Sequence, residues 1–354
     1  MDTSLCARKG GGNKQFLKEY ALKQSLVLLS RLALNSCPMA EGLIMRFPVF
    51  KAFGASIAYI FAHFLTIIKI LWLPMLALIA VQIFVMPSMM EAQLQLAAVE
   101  ETADPSEVFA LMGPMMKSVG ILNLVALIAY PMMIAGLLRH VIRGDAPSLP
   151  FYIGFGADEL RIILATILLI LMTGIIYAGG FLALMAVGLA ISAVASAIGG
   201  VIILVGAVVL IGALIWFMVR MSLVYAAGVG EKKIGIAETW NLTKGNFWGL
   251  FFYWFLWWII LVGVSIAFMA VVMPGYIPLM MEFVAASADV GADSSVVEDI
   301  NRRLLEVQAS MWDVSNPGAW LQMGVMYLFT MTSIAMWVVP GGVAYRYLQG
   351  SERG

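Results

Sequence analysis

Five stretches of this chain run for 21 residues or more without Asp, Glu, Lys or Arg: residues 70–90, 118–138, 162–219, 245–281 and 314–345. A helix rises about 1.5 Å per residue, so about 20 apolar residues cross roughly 30 Å of hydrocarbon. Four of the stretches fit one crossing each. The third is long enough for two, and Gly188, Gly199 and Gly200 bracket the turn expected inside it. The expected fold is all-α and polytopic. Its six transmembrane helices lie near 70–88, 118–138, 162–187, 200–220, 247–272 and 319–343. Composition agrees: 62% of the 354 residues are hydrophobic and 12% charged, against about 25% charged in soluble domains. Too few polar side chains exist to cover a water-facing surface.

The charges between the spans predict orientation, because translocated loops are poor in Lys and Arg. Segments 1–51, 139–161, 220–244 and 346–354 hold 17 of the 21 basic residues. The opposite loops hold only Lys117, Arg302 and Arg303, with twelve acids that include Glu91, Glu100, Glu101, Asp289, Asp293 and Asp299. Both termini are therefore expected in the cytoplasm. Residues 1–46 read as a basic, disordered cytoplasmic tail that meets anionic lipid through Arg8, Lys9, Lys14, Lys18 and Lys23. Leu34-Asn35-Ser36-Cys37 is similar to a lipoprotein cleavage box, but Arg31 interrupts the apolar run before it. Met45 is an alternative start, since the organised pattern begins just after it.

Three surface elbows are expected. Phe50, Phe53, Ile57, Ile60, Phe64, Ile68 and Leu71 form an apolar stripe at helical spacing, and Lys51, Ala55, Ala58, Ala62, Thr66 and Lys69 mark another face of the same helix. Such a helix suits the membrane interface, with Pro74 redirecting the chain inward. A second elbow covers Gly235–Asn246, punctuated by Ile236, Trp240 and Phe247, and a third covers Pro150–Ala157. The even spans end at Arg139, Arg220 and Arg346, followed by Gly144, Gly228 and Gly350. This suggests three helical hairpins, near 47–145, 149–230 and 234–350. Positive-inside topology alone would also put arginines there.

On the other side, Asp104-Pro105-Ser106-Glu107 and Ser295-Val-Val-Glu298 have the form of helix starts. Val297, Ile300, Leu304, Val307 and Met311 then make an apolar stripe, expected to fold onto the bundle mouth or to receive a periplasmic partner.

Chemistry is sparse. Zero net charge argues against nucleic acid as a partner. Two histidines, His63 and His140, exclude a histidine-rich zinc site, and Cys6 and Cys37 suggest no disulfide framework. No catalytic, metal or cofactor-binding residues are assigned. Gly54-Ala-Ser56-Ile57 lacks the second glycine of an intramembrane serine protease motif, no His-Glu-x-x-His occurs, and no phosphate-binding glycine loop is present. Asn123, Gln82 and Tyr177 are expected to bond between helices. Ser192, Ser196 and Gly200, with Gly179 and Ala183, suit close helix approach. Phe251, Trp254, Phe255, Trp257 and Trp258 form an aromatic band deep in the fifth span. Trp254, Trp257 and Trp258, with His63 and Lys69, are the candidate contacts for lipid or ligand. Plain packing is the competing account.

Arg220-Met-Ser-Leu-Val-Tyr225 and Ala237-Glu-Thr-Trp-Asn-Leu-Thr-Lys-Gly-Asn-Phe247 resemble a recurrent segment of bacterial six-helix inner-membrane proteins. These are the uncharacterised YciC-like family and the membrane domain joined to some glycerophosphodiester phosphodiesterases. His63-Phe-Leu-Thr-Ile-Ile68 with Trp72-Leu-Pro74 is similar to their first-span segment. The resemblance implies residence in the bacterial inner membrane and a role in the envelope, and it brings no active site. The expected function is non-enzymatic, in envelope organisation or as a partner in a membrane complex. The alternative is a small-molecule transporter or lipid-handling protein, motivated by Pro74, Pro131, Pro340 and the aromatic fifth span.

Overall fold

In hydrocarbon no water is available to backbone amides and carbonyls, so an apolar chain closes its hydrogen bonds within helices. The computed structural model describes residues 47–97, 104–145, 154–192, 196–273, 275–288, 294–312 and 315–352. Among these residues there are eleven α-helices and no strand. They are α1 Val49–Ala62, α2 Phe64–Ala97, α3 Pro105–Arg143, α4 Ala157–Ser192, α5 Ser196–Met221 and α6 Val224–Glu231. Then come α7 Ile236–Leu242, α8 Phe247–Val272, α9 Tyr276–Ala288, α10 Ser294–Ser310 and α11 Pro317–Glu352. Six helical segments are long and apolar enough to cross a membrane: α2, α3, α4, α5 continued by α6, α8 and α11. The chain is a multi-pass membrane protein by length and composition. Each expected window falls inside one of these helices. Most helices overrun their window: α3 has 39 residues, roughly 58 Å of helix. Charge forbids the hydrocarbon, but it does not end a helix.

The close-packed core gathers at one end of the bundle. It joins Ile70 and Leu71 of early α2, Leu137 and Leu138 of late α3, Ile162 of early α4, Leu223 after α5, Leu250 and Tyr253 of early α8, and Val339 and Tyr345 of late α11. Phe47 and Leu348 belong to the same cluster, so both ends of the described chain lie at this end. Away from it the helices separate into two kinds. In their most apolar windows 39% of α3 is buried, but only 6% of the span containing α5. Hydrocarbon solvates Leu and Val as well as a protein interior does, so a helix can leave its apolar side chains outside at no cost.

That physics turns the buried face of the first elbow away from Phe50, although Ile60 of the expected stripe stays inside and Lys51 and Lys69 stay exposed. α1 buries Val49, Ala52, Ser56 and Ile60 and leaves Phe50 79% exposed. Small side chains bring α1 close to α8 and α11, where Phe47 meets Tyr253 edge to face at 5.4 Å. The chain turns at His63, between α1 and α2, and α2 runs on through Pro74. Pro131 and Pro340 likewise lie inside continuous helices. The interruptions that motivated the transporter alternative are therefore not seen. The second elbow is α7. Half of the third, 150–153, lies outside the described residues, while Gly154–Gly156 are not helical and Ala157 begins α4. The N-terminal tail and Glu100-Glu101 also lie outside.

At the opposite end, Asp104 caps α3 by accepting from the Ser106 amide and hydroxyl, each at 2.9 Å. These bonds hold its carboxyl below the ordinary range. The helix begun there is no separate external piece, since it continues into the second span. α10 does stand apart, and Ile300, Leu304 and Val307 of its stripe pack on Leu279 and Phe283 of α9. Between α4 and α5 the close approach falls on other glycines than expected. A Cβ on Gly188 would meet Ile203 at 2.3 Å and one on Gly206 would meet Leu184 at 2.1 Å, whereas Gly179 and Gly200 face open space.

Candidate functional site

α4 and α5 pack along each other and diverge from the remaining helices, which leaves an apolar cavity of about 650 Å³ between the pair and α3, α8 and α11. Its walls include Ile134, Ile170, Tyr177, Met218, Trp254 and Trp337. Small residues keep it open. Gly174 lines it with nothing within 4 Å of where a Cβ would sit, and Gly341 lets the Trp254 indole lie 3.8 Å from its own Cβ position. The polar fittings are few. Tyr225 and Thr166 hydroxyls share a hydrogen bond at 3.0 Å, and the enclosed Trp254 Nε1–H has no acceptor. Volume and lining match sites for apolar ligands, which are about 300–1,000 Å³ with a few directed polar groups.

Below the cavity a polar cluster ties α3 to the first turn of α4. Arg139 donates to Asp158 at 2.8 Å and to Glu159 at 2.7 Å. Arg143 and Arg161 reach Asp158 at 2.9 and 2.6 Å, and Arg143 also donates to the Val229 carbonyl. Glu159 is fully buried and accepts from the Gly156 amide at 2.8 Å. A glutamate reaching back to the N-cap amide is half of a capping box. With glycine as the cap, the sequence lacks the Ser or Thr that would have signalled it.

The five candidate residues are dispersed. Trp254 lines the cavity. Trp257 is buried against Phe53, ring centroids 5.3 Å apart. Trp258 faces outward and stacks on Phe255 at 6.2 Å. Lys69 is exposed. His63 sits at the α1–α2 turn, 4.4 Å from Tyr59 and 5.0 Å from His140 between ring centroids. Burial pushes the Tyr59 phenol up to about 12, against the opposing pull of the Arg346 guanidinium.

The polar residues expected to join helices do so less than others. Asn123 donates to Val119 of its own helix at 2.9 Å, and it lines a second cavity of about 270 Å³ with Gln82 and Tyr130. Tyr177 stacks on Phe181. The joints are made by tyrosines instead. Tyr253 lies 2.8 Å from the Ser56 hydroxyl and donates to the Pro340 carbonyl at 2.9 Å. Tyr327 donates to the Trp72 carbonyl, and Tyr345 to Glu231 at 2.8 Å. Ser56, weighed as a protease nucleophile, is part of such a joint. Among the described residues no group of three or more His, Cys, Asp or Glu is placed to hold a metal. No known protein family, curated protein or solved structure matches this chain.

Proposed function

We propose that this chain is a non-enzymatic protein of the bacterial inner membrane, related to the YciC-like proteins, that holds an apolar chain of a membrane lipid in the cavity beside Trp254. It has three helical hairpins and both termini in the cytoplasm. The cavity carries the reading, because a scaffold for envelope or complex assembly has no need of an open apolar chamber with one unfilled donor. Charge supports this orientation. The core end carries Lys51, Arg139, Arg143, Arg220, Lys232 and Lys233, while Glu91, Asp104, Glu282 and Asp299 belong to the other. A reporter fused after Arg353 that is active only in the periplasm should stay silent, and a signal there would reverse the assignment.

Gly174→Leu tests the cavity. The new side chain enters open space, and removing a mid-helix glycine favours the helix by close to 1 kcal/mol. The variant should unfold at the wild-type temperature or above, yet lose the lipid that native mass spectrometry finds on wild-type protein released from mild detergent. Wild-type protein free of lipid, or a variant that retains it fully, would sink the reading.

A further inference from the structure

Arg220 ends α5 at the core end of the bundle and is 7% exposed. Its guanidinium carbon lies 4.5 Å from the centre of the Trp240 ring and 5.9 Å from that of Trp216. The two indoles meet edge to face at 5.4 Å. A guanidinium carries five N–H donors, and among the described residues no carboxylate pairs with Arg220 and no oxygen accepts from it. Its Nε is wholly enclosed without a partner. Attraction to the indole faces offsets part of the lost hydration, but it fills none of the donors. Arg139, which ends the preceding even span, holds two acids, and Arg346 donates to the Val141 carbonyl at 3.2 Å. Arg220 is the exception of the three.

Its surroundings share the deficit. Thr239 Oγ1 and Asn246 Oδ1 are buried without partners. Both belong to the α7 elbow, whose Thr243 hydroxyl lies 3.2 Å from the Arg220 carbonyl and 2.8 Å from that of Thr239. The same elbow exposes Lys244, and Trp248 is exposed in the first turn of α8. Trp216 and Trp240 are themselves part exposed, at 44% and 37%, so the rings that flank the guanidinium reach the protein surface. Lys, Arg and Trp together are the side chains of the membrane–water boundary, where phosphate groups are concentrated.

We propose that Arg220, walled by Trp216 and Trp240 with Lys244 beside it, binds a phosphate group at the cytoplasmic membrane surface. The guanidinium fork matches two phosphate oxygens, and the phosphate supplies the counter-charge that the fold withholds. This site is distinct from the cavity, because Arg220 is not among the cavity's lining residues although its neighbours Val219 and Met221 are, and it stands whether or not the cavity takes lipid.

The test uses the full chain, stripped of lipid in a neutral detergent. Tryptophan fluorescence is followed on adding phosphatidylglycerol, inorganic phosphate, or dioleoylglycerol, which has the acyl chains without the phosphate. A saturable change with phosphatidylglycerol alone supports a lipid phosphate. A change with inorganic phosphate as well supports a phosphate site open to soluble ligands. No saturable change, or an equal one with dioleoylglycerol, overturns the proposal using wild-type protein only. Arg220→Gln should weaken the phosphatidylglycerol response about tenfold, the scale of one charged hydrogen bond, and Arg220→Lys should weaken it less. Wild-type affinity in a folded Arg220→Gln protein would also overturn it.

Discussion

Gly235→Ala should be among the most damaging single-methyl additions in this chain. Gly235 has φ +89°, in the left-handed region, and a Cβ there would lie 2.3 Å from the Val224 carbonyl oxygen and 2.7 Å from the Gly228 amide nitrogen. Both are backbone atoms, so no side-chain rotation can relieve the contact. α6 and the turn into α7 would have to move apart. Left-handed strain costs about 1–2 kcal/mol for a residue with a Cβ, and forced overpacking about 1–3 kcal/mol more. A loss of about 2–5 kcal/mol follows. Gly245→Ala separates the two terms: its φ is +79°, but nothing lies within 4 Å of its Cβ position. The unfolding temperature in detergent should fall far more for Gly235→Ala than for Gly245→Ala. Equal falls would show that strain alone acts and that the α6–α7 contact is loose.

The six spans were legible in the sequence because one rule decides them: a charge cannot sit unpaired in hydrocarbon, so its absence over about 20 residues marks a crossing. The faces were not legible, because lipid lets an apolar side chain point either way. Phe50 and Ala52 stand on either side of Lys51 and on nearly opposite faces of α1, and only the packing of α1 on α8 and α11 tells that the alanine is the inner one. Trp254, Trp257 and Trp258 pose the same difficulty on α8. They fall within an arc of about 100°, yet one lines the cavity, one is in the core and one is outside. The acids of the polar cluster are hidden for another reason. Positive-inside topology accounts for Arg139 by itself, and the sequence carries no sign that it pairs with Asp158 and Glu159, 19 and 20 residues further on. The cavity had no signature at all, since ordinary residues from several helices line it.

Arg139→Leu should have an effect comparable to that of Gly235→Ala, through charge rather than shape. Asp158 would keep Arg143 and Arg161. Glu159, fully buried, would keep only the Gly156 amide. Removing one partner of a buried ion pair leaves the other uncompensated, at a cost of about 3–5 kcal/mol. Replacing both with apolar residues is often close to neutral. The pair Arg139→Leu with Glu159→Leu should therefore recover most of the unfolding temperature that Arg139→Leu loses, provided Asp158 retains its two other arginines. Arg139→Lys should recover only part. An ammonium is a single point charge, whereas Arg139 reaches the two acids through Nε and Nη2, two separate donors along one edge of the guanidinium. Arg302→Leu is the control, since the Asp299–Arg302 pair on α10 is exposed and exposed pairs contribute little. A double variant no more stable than Arg139→Leu would mean that the cluster acts as more than a neutralised pair. The fastening of α3 to the first turn of α4 would then depend on the bidentate geometry, and so would the base from which α4 and α5 diverge to enclose the cavity.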